Sequence, residues 1–442
     1  MIKTFRYKTI EEIKNHIKSE LPSFYFSSQT STVIPYDKLE DRFKDTNFNM
    51  VDLSALKSSI DLTSDNNLIV RGPISWKEAK IFLKDHKRNI QTAPTEELAL
   101  ICAGAATSAT GERCFHYGTL RSQIVRLKYL NFQGQEIELT HSQTISKDIT
   151  GLKEYQNQYK KYAKFKNAPF PRFEKEIDLL IGTEGQLGVI TEVEIKTAPL
   201  EEVNHLFMLV PKWEENIAVH VKIQKLIQNF REEVVVCELI DSNGFNYLPK
   251  EERPNKNKDA IFLEIRSTYF ESFYEDFITK VTEFINEEEI FEIAESKFHM
   301  IRAAIPRAVY EINSHKGVIK KGTDIQVSSE QFELLLNEYK KCSMMGVDYM
   351  LFGHFGDAHL HFNFMPSSEQ ATKCQEQLEI LYSTIQKIGG SPFAEHGIGL
   401  IKQDFIKQYW TPEVLKTFKS LKDLHDPKRI FFPEGFMNID DL

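Results

Sequence analysis

Residues 353–364 read GHFGDAHLHFNF, placing three histidines, an aspartate and an asparagine inside an otherwise apolar stretch. Neutral imidazoles bind metal ions, and imidazoles that titrate near neutrality move protons. The partners of this set are therefore each other, a metal ion, or a molecule that visits. Gly356-Asp357 reads as a two-residue type II′ turn between two strands, with glycine at the first central position. That turn sets Phe355 opposite Ala358, His354 opposite His359 and Phe352 opposite His361. Opposed residues share a face of the sheet, as do residues two apart on a strand. His354, His359, His361 and Asn363 then project to one side, and Leu360, Phe362 and Phe364 to the other, toward a core. For one histidine a polar, solvated face would be the plain reading. Three imidazoles and an amide on one face favour a functional one.

Two further stretches carry residue types suited to ligand contact. CAGAATSATGERCFHYGTLRSQI (102–124) packs Gly, Ala, Ser and Thr where a strand would otherwise continue. DLLIGTEGQLGVITEVEIKTAP (178–199) sets Gly182, Gly185 and Gly188 between a buried strand and an alternating one. Small residues let backbone amides approach a ligand, and successive N–H groups can cradle phosphate oxygens. The spacing is neither a Walker A loop nor GxGxxG. Taken singly, each stretch could equally be a turn-rich loop with no ligand.

The elements that would position these residues fall into two styles. Residues 9–19 read as a short helix, with Thr9 as cap and Glu11 and Glu12 in the first turn. Strand-like and helix-like segments alternate to about residue 200, including a clear strand over 190–195. Beyond that come strand 206–210, helix 213–230, strands 234–240 and 260–267, and helix 270–288. This order suits an antiparallel sheet with helices on one face. Near the end Thr411 caps a helix with Pro412 at its first position, and Leu415, Phe418, Leu421 and Leu424 form its apolar stripe.

Bulk properties narrow the function. A chain of 442 residues favours two or three domains. A net charge of −9 offers no general basic field for nucleic acid. Five cysteines without a CxxC argue for a reducing compartment, and against a disulfide framework or an iron–sulfur cluster. The charged start MIKTFRYKTIEEIKNHI has no apolar signal core, and no run reaches the length of a membrane span, so a soluble cytoplasmic protein is expected. Residues 152–175 mix six Lys and one Arg with aromatics. Such a stretch could serve nucleic acid or peripheral membrane contact, but the acidity of the chain favours a solvated loop or helix.

In order along the chain stand Gly104-Ala105-Ala106-Thr107-Ser108 through Tyr117-Gly118, Gly182-Thr183-Glu184-Gly185 through Gly188-Val189-Ile190, GHFGDAHLHFN, Glu395-His396-Gly397-Ile398-Gly399, and Asp426-Pro427 with Pro433. Together they resemble the FAD-linked oxidases of the vanillyl-alcohol oxidase/PCMH flavoprotein superfamily, in the branch of the D-lactate, glycolate and D-2-hydroxyglutarate dehydrogenases. The resemblance implies an α+β chain of two domains. Residues 1–199 would form a PCMH-type FAD-binding domain, and 200–410 a substrate domain with a ferredoxin-like antiparallel sheet and a metal site. Residues 411–442 would return to pack on the FAD domain. FAD contacts would come from Gly104, Ala106, Thr107, Ser108, Gly111, Tyr117 and Gly118, from Glu184, Gly185, Gly188, Val189 and Ile190, and from an early loop. That loop, SSQTSTVIP (27–35), offers Ser28, Gln29, Thr30, Ser31 and Thr32 but no glycine, which departs from the family's usual pattern. It also lacks a histidine for covalent attachment, so non-covalent FAD is expected. A second departure is Phe432, where the family usually carries Asn.

The resemblance also implies the chemistry. A D-2-hydroxy acid loses its hydroxyl proton and passes the Cα hydride to the flavin N5, with a divalent cation, zinc or manganese, acidifying the hydroxyl. Two histidines plus a carboxylate make an open catalytic ligand set, here His354, His361 and Glu395. His396 would be the general base and Asn363 a substrate contact, while His359, not used as a ligand in the family, would be a pocket residue. Arg302 would pair with the substrate carboxylate, with Arg307 as fallback and Lys321 assisting. A surface salt bridge is the plain alternative for Arg302. Rival readings are alkyl-glycerone-phosphate synthase-like or sugar-lactone oxidase chemistry, and a catalytically silent flavin subunit of an electron-transfer complex. The particular hydroxy acid, the electron acceptor and the oligomeric state stay open.

Overall fold

The computed structural model describes residues 2–46, 48–253 and 257–438. They form two compact units: residues 2–111, 119–200 and 395–438 in one, residues 112–118 and 201–394 in the other. The sequence reading took residues 1–199 as continuous and placed the return at 411. In the structure Glu112–Gly118 belongs to the second unit, and the return begins at Glu395.

The first unit opens with a β-α-β crossover. Thr9 and Glu12 make the reciprocal capping box that starts helix Ile10–Lys18. The helix carries the chain between strands Lys3–Arg6 and Ser23–Phe26, both parallel to Asn49–Asp52, since parallel neighbours need such a crossover. Ile13 and Ile17 on its buried face pack with Leu130, Val189 and Ile430. A five-stranded antiparallel sheet follows in the order Ser59–Leu62, Leu68–Arg71, Val189–Ile195, Ile124–Leu130, Glu136–Thr140. Its central strand leaves directly from the 182–188 loop. Helix Pro412–His425 starts at the Thr411 cap, with proline at its first position. It seats Phe418 against Tyr155 at a ring separation of 5.9 Å. The tail then bonds to the edge of the small sheet, Ser23 N–H to Ile430 O and Phe432 N–H to Ser23 O, both 2.9 Å.

The second unit is built on one antiparallel sheet. Its order is Ile290–Glu292, Val203–Val210, Asp259–Arg266, Val234–Ile240, Tyr349–His354, His359–Phe364, Lys321–Gly322, with Ile325–Gln326 also pairing His359–Phe364. Helices lie against both faces rather than the expected one. Phe298, Ile301, Ile305 and Val309 of Glu295–His315 pack with Phe207, Phe262, Val236 and Met350 on one face. On the other, Tyr339 of Phe332–Ser343 stacks on Phe362 at 5.3 Å. The helix expected over 213–230 forms as Ile217–Ile227 with a short 3₁₀ extension. The one expected over 270–288 runs only from Phe270 through a π turn to Val281. No helix among the described residues is long and apolar enough to cross a membrane.

The hairpin register is as read: His354 pairs with His359, Phe352 with His361 and Met350 with Asn363. The turn is different. Phe355–Asp357 forms a 3₁₀ turn and Ala358 adopts the left-handed conformation at φ +50°. The loop thus has four residues and not a two-residue type II′ turn. Both loops give the same register because both close the strands with Phe355 and Ala358 facing each other.

Candidate active site

In the second unit the sheet register sets up a cross-strand row. Phe207 opposes Phe262, Phe262 opposes Glu238, His354 opposes His359, and His359 opposes Gln326. Leu239 pairs with Gly353, which puts Glu238 beside His354, and His354 Nδ1 lies 2.7 Å from Glu238 Oε1. His359 Nε2 lies 2.9 Å from Asp324 Oδ1, and His361 Nδ1 lies 3.0 Å from the Thr323 carbonyl. A carboxylate or carbonyl can only accept, so each ring carries its proton on that nitrogen. In the neutral imidazole the lone pair then sits on the other: Nε2 of His354 and His361, Nδ1 of His359. A ring N–H given to a carboxylate or a backbone carbonyl is how metal-binding histidines are oriented. The three ring centroids are 4.6–6.0 Å apart. The four polar residues of this face are buried, His359 and Asn363 completely. A solvated polar surface is excluded.

Arg302 is equally buried, so it is not a surface salt bridge. Its guanidinium pairs with Glu112 and lies 3.9 Å from Glu238 Oε1. Arg307 is exposed on the same helix. Asn363 Nδ2 donates to the His361 carbonyl at 3.2 Å, while its buried Oδ1 has no hydrogen-bond partner. An orphaned buried acceptor calls for an explanation, and a visiting donor supplies one. Gly322 opposes Asn363, and a Cβ there would collide with the amide oxygen. Lys321, opposing Phe364, is on the far face and bonds Gln375 at 2.7 Å. The structure does not bring it to the histidines. Lys320, two residues before Gly322, shares the Asn363 face instead.

In the first unit three loops converge on residues 397–401. The Val33 carbonyl of the early loop accepts from Leu400 and Ile401 N–H at 2.9 and 3.2 Å. Glu184 accepts from Ile398 and Gly399 N–H at 2.6 and 2.9 Å, and its own N–H reaches the Ala106 carbonyl at 2.8 Å. Burial pushes the Glu184 carboxyl up to about 7 against the pull of those two N–H groups. Each loop holds a non-glycine residue at positive φ: Gln29 (+55°), Ser108 (+52°) and Glu184 (+54°). Such strain clusters where backbone amides are aimed at ligands. An added Cβ at Gly185 would meet nothing nearer than the Gly188 carbonyl at 3.9 Å. The small side chains of these segments suit close approach by a cofactor. Two of the expected contacts also have packing reasons. A Cβ at Gly111 would strike the Ala93 carbonyl, and one at Gly188 (φ +155°) would strike the Tyr129 ring. Tyr117 and Gly118 lie in the second unit, where Tyr117 packs on the core containing Phe262 and Ile301.

Glu395 and His396 open the returning segment of the first unit. Glu395 Oε2 accepts from Thr110 Oγ1 at 3.3 Å and lies 3.9 Å from the Lys166 ammonium, and Oε1 is 3.5 Å from His396 Nε2. The residue before them, Ala394, donates its N–H to the Asp324 carbonyl in the second unit at 3.0 Å. Sequence reasoning missed Glu112, Glu238, Asp324 and Lys166. Glu238 left a signal, as the one acid in the apolar strand VVVCELI, and Lys166 was masked by a lysine-rich stretch. Five of the six aromatics of that stretch, Tyr155, Tyr159, Tyr162, Phe170 and Phe173, are buried, and Phe165 is half-buried.

Residues 223–434 match the family described as FAD linked oxidases, C-terminal domain. Over 354 residues the chain is 26% identical to a mitochondrial D-2-hydroxyglutarate dehydrogenase of Arabidopsis thaliana, covering 75% of this chain and 56% of that protein. It is 25% identical over 357 residues to a D-lactate dehydrogenase of Anaerostipes hadrus, covering 77% and 69%. The chain thus spans little more than half of the Arabidopsis protein. An alkyldihydroxyacetonephosphate synthase structure shares the fold at a TM-score of 0.66 and 14% identity, covering 99% of this chain and 77% of that one. Residues 223–434 thus match the C-terminal domain of FAD-linked oxidases, and the named relatives agree with that match.

Proposed function

We propose that this protein oxidises a D-2-hydroxy acid to the 2-oxo acid, with non-covalently bound FAD and a divalent cation of the zinc or manganese kind. One observation carries the reading. Buried imidazoles on one sheet face have their lone pairs fixed by Glu238 and Thr323, beside a buried guanidinium and the unpartnered Asn363 oxygen. When bound, FAD would supply a hydride acceptor and the cation would acidify the substrate hydroxyl.

This chain's residues do the rest. The segments 28–32, 104–108 and 184–190 hold the cofactor. His354, His361 and Glu395 hold the cation. Arg302 takes the substrate carboxylate and shares its guanidinium with Glu112 while doing so. Asn363 lines the substrate's position, and His396 removes the hydroxyl proton. The relatives' substrates, D-2-hydroxyglutarate and D-lactate, are the first compounds to test.

The test is anaerobic mixing of the FAD- and metal-loaded protein with D-lactate, glycolate and D-2-hydroxyglutarate, with the L-isomers as controls, following flavin absorbance. Bleaching by a D-acid or by glycolate, lost on stripping the metal and restored by zinc or manganese, is expected. A loaded protein bleached by no 2-hydroxy acid would overturn the reading.

A further inference from the structure

We propose that His359 is a third imidazole ligand, so that His354, His359 and His361 together grip the cation from within the second unit. This rests on the metal-assisted reading above and extends it to a residue left outside the ligand set. The register places His359 directly across from His354 and two residues from His361 on the same face. One ring nitrogen of each lies within 4.8 Å of those of the other two. Asp324 accepts from His359 Nε2, so the lone pair of His359 is on Nδ1, just as Glu238 and Thr323 leave those of His354 and His361 on Nε2. All three rings thus carry the same device, an acceptor that orients the ligand nitrogen, and His359 has a carboxylate for it.

Two buried carboxylates, Glu238 and Asp324, stand directly behind His354 and His359, and a carboxylate behind a ligand ring strengthens its hold on a cation. Three imidazoles also favour zinc or cobalt over the more oxygen-seeking manganese.

The measurement is X-ray absorption fine structure at the zinc edge on the full chain loaded with zinc and FAD. It is accompanied by zinc and manganese affinities for the unmodified protein, His359→Asn and His361→Ala. Three imidazoles are expected in the unmodified protein and two in His359→Asn, with zinc binding weakened at least about tenfold and the preference over manganese narrowed. Bound FAD should be unchanged in both variants. Two imidazoles in the unmodified protein would overturn the inference without any variant. If His361→Ala loses the metal while His359→Asn keeps both count and affinity, His359 falls and the two-histidine reading stands. If His361→Ala keeps stoichiometric zinc, the metal reading itself falls, and His359 with it.

Discussion

Glu238→Gln tests whether the acid behind His354 prepares that ring to hold a cation. The substitution keeps shape and hydrogen-bonding reach and removes one negative charge. His354 Nδ1 sits 2.7 Å from Glu238 Oε1, a charge-assisted bond of about 1.5–3 kcal/mol that becomes a neutral one of about 0.5–1.5. The difference of about 1–1.5 kcal/mol is close to a tenfold change in Kd. A loss of about 10- to 100-fold is also the usual cost of removing a partner behind a metal-bound histidine. Stability should change little, because Arg302 keeps its pair with Glu112 and meets Glu238 only at 3.9 Å. The assay is zinc competition against a chromophoric chelator at fixed pH, with the flavin-to-protein absorbance ratio as control. Zinc affinity should fall about tenfold with FAD content unchanged. Unaltered affinity would refute the reasoning, since His354 would then owe nothing to Glu238 as a ligand.

Two further outcomes follow from packing and burial in the first unit. Gly111→Ala drives a Cβ into the Ala93 carbonyl, so even the FAD-free protein should lose about 1–3 kcal/mol or more. If apo stability by urea unfolding is untouched and only FAD affinity drops, the glycine serves the cofactor and not the packing. His425, at the buried end of the last helix, has its pKa lowered to about 4, chiefly by burial and secondarily by Lys147. The unfolded chain therefore takes up the proton first, and stability present above about pH 6.5 is lost as pH falls toward 4, by up to about 3 kcal/mol. His425→Leu should flatten that part of the urea-midpoint profile, and an identical slope in both proteins would show that another group is responsible.

What the sequence made legible was local. Alternation in 349–364 sufficed to pair His354 with His359 and Phe352 with His361, because a hairpin's partners are near in the chain and only one register buries Leu360, Phe362 and Phe364 together. The turn was misjudged because glycine looked like the residue that needed positive φ, whereas Ala358 adopts it. Thr9 and Thr411 could be read as caps for the same reason of locality: each acts on the turn that follows it. The partners that give the histidines their chemistry were not legible, because sheet order is a non-local choice. Glu238 meets His354 only because Val234–Ile240 was selected as the neighbour of Tyr349–His354. Asp324 meets His359 only because the short strand Ile325–Gln326 docks beside the hairpin. Lys321 went astray through the same parity that served the hairpin: pairing with Phe364 puts it on the far face, and its neighbour Gly322 takes the place beside Asn363. A strand's own pattern says which of its residues share a face, but only the neighbouring strand says what that face will touch. The imidazoles could therefore be found from twelve consecutive residues, whereas the acids that orient them had to wait for the sheet.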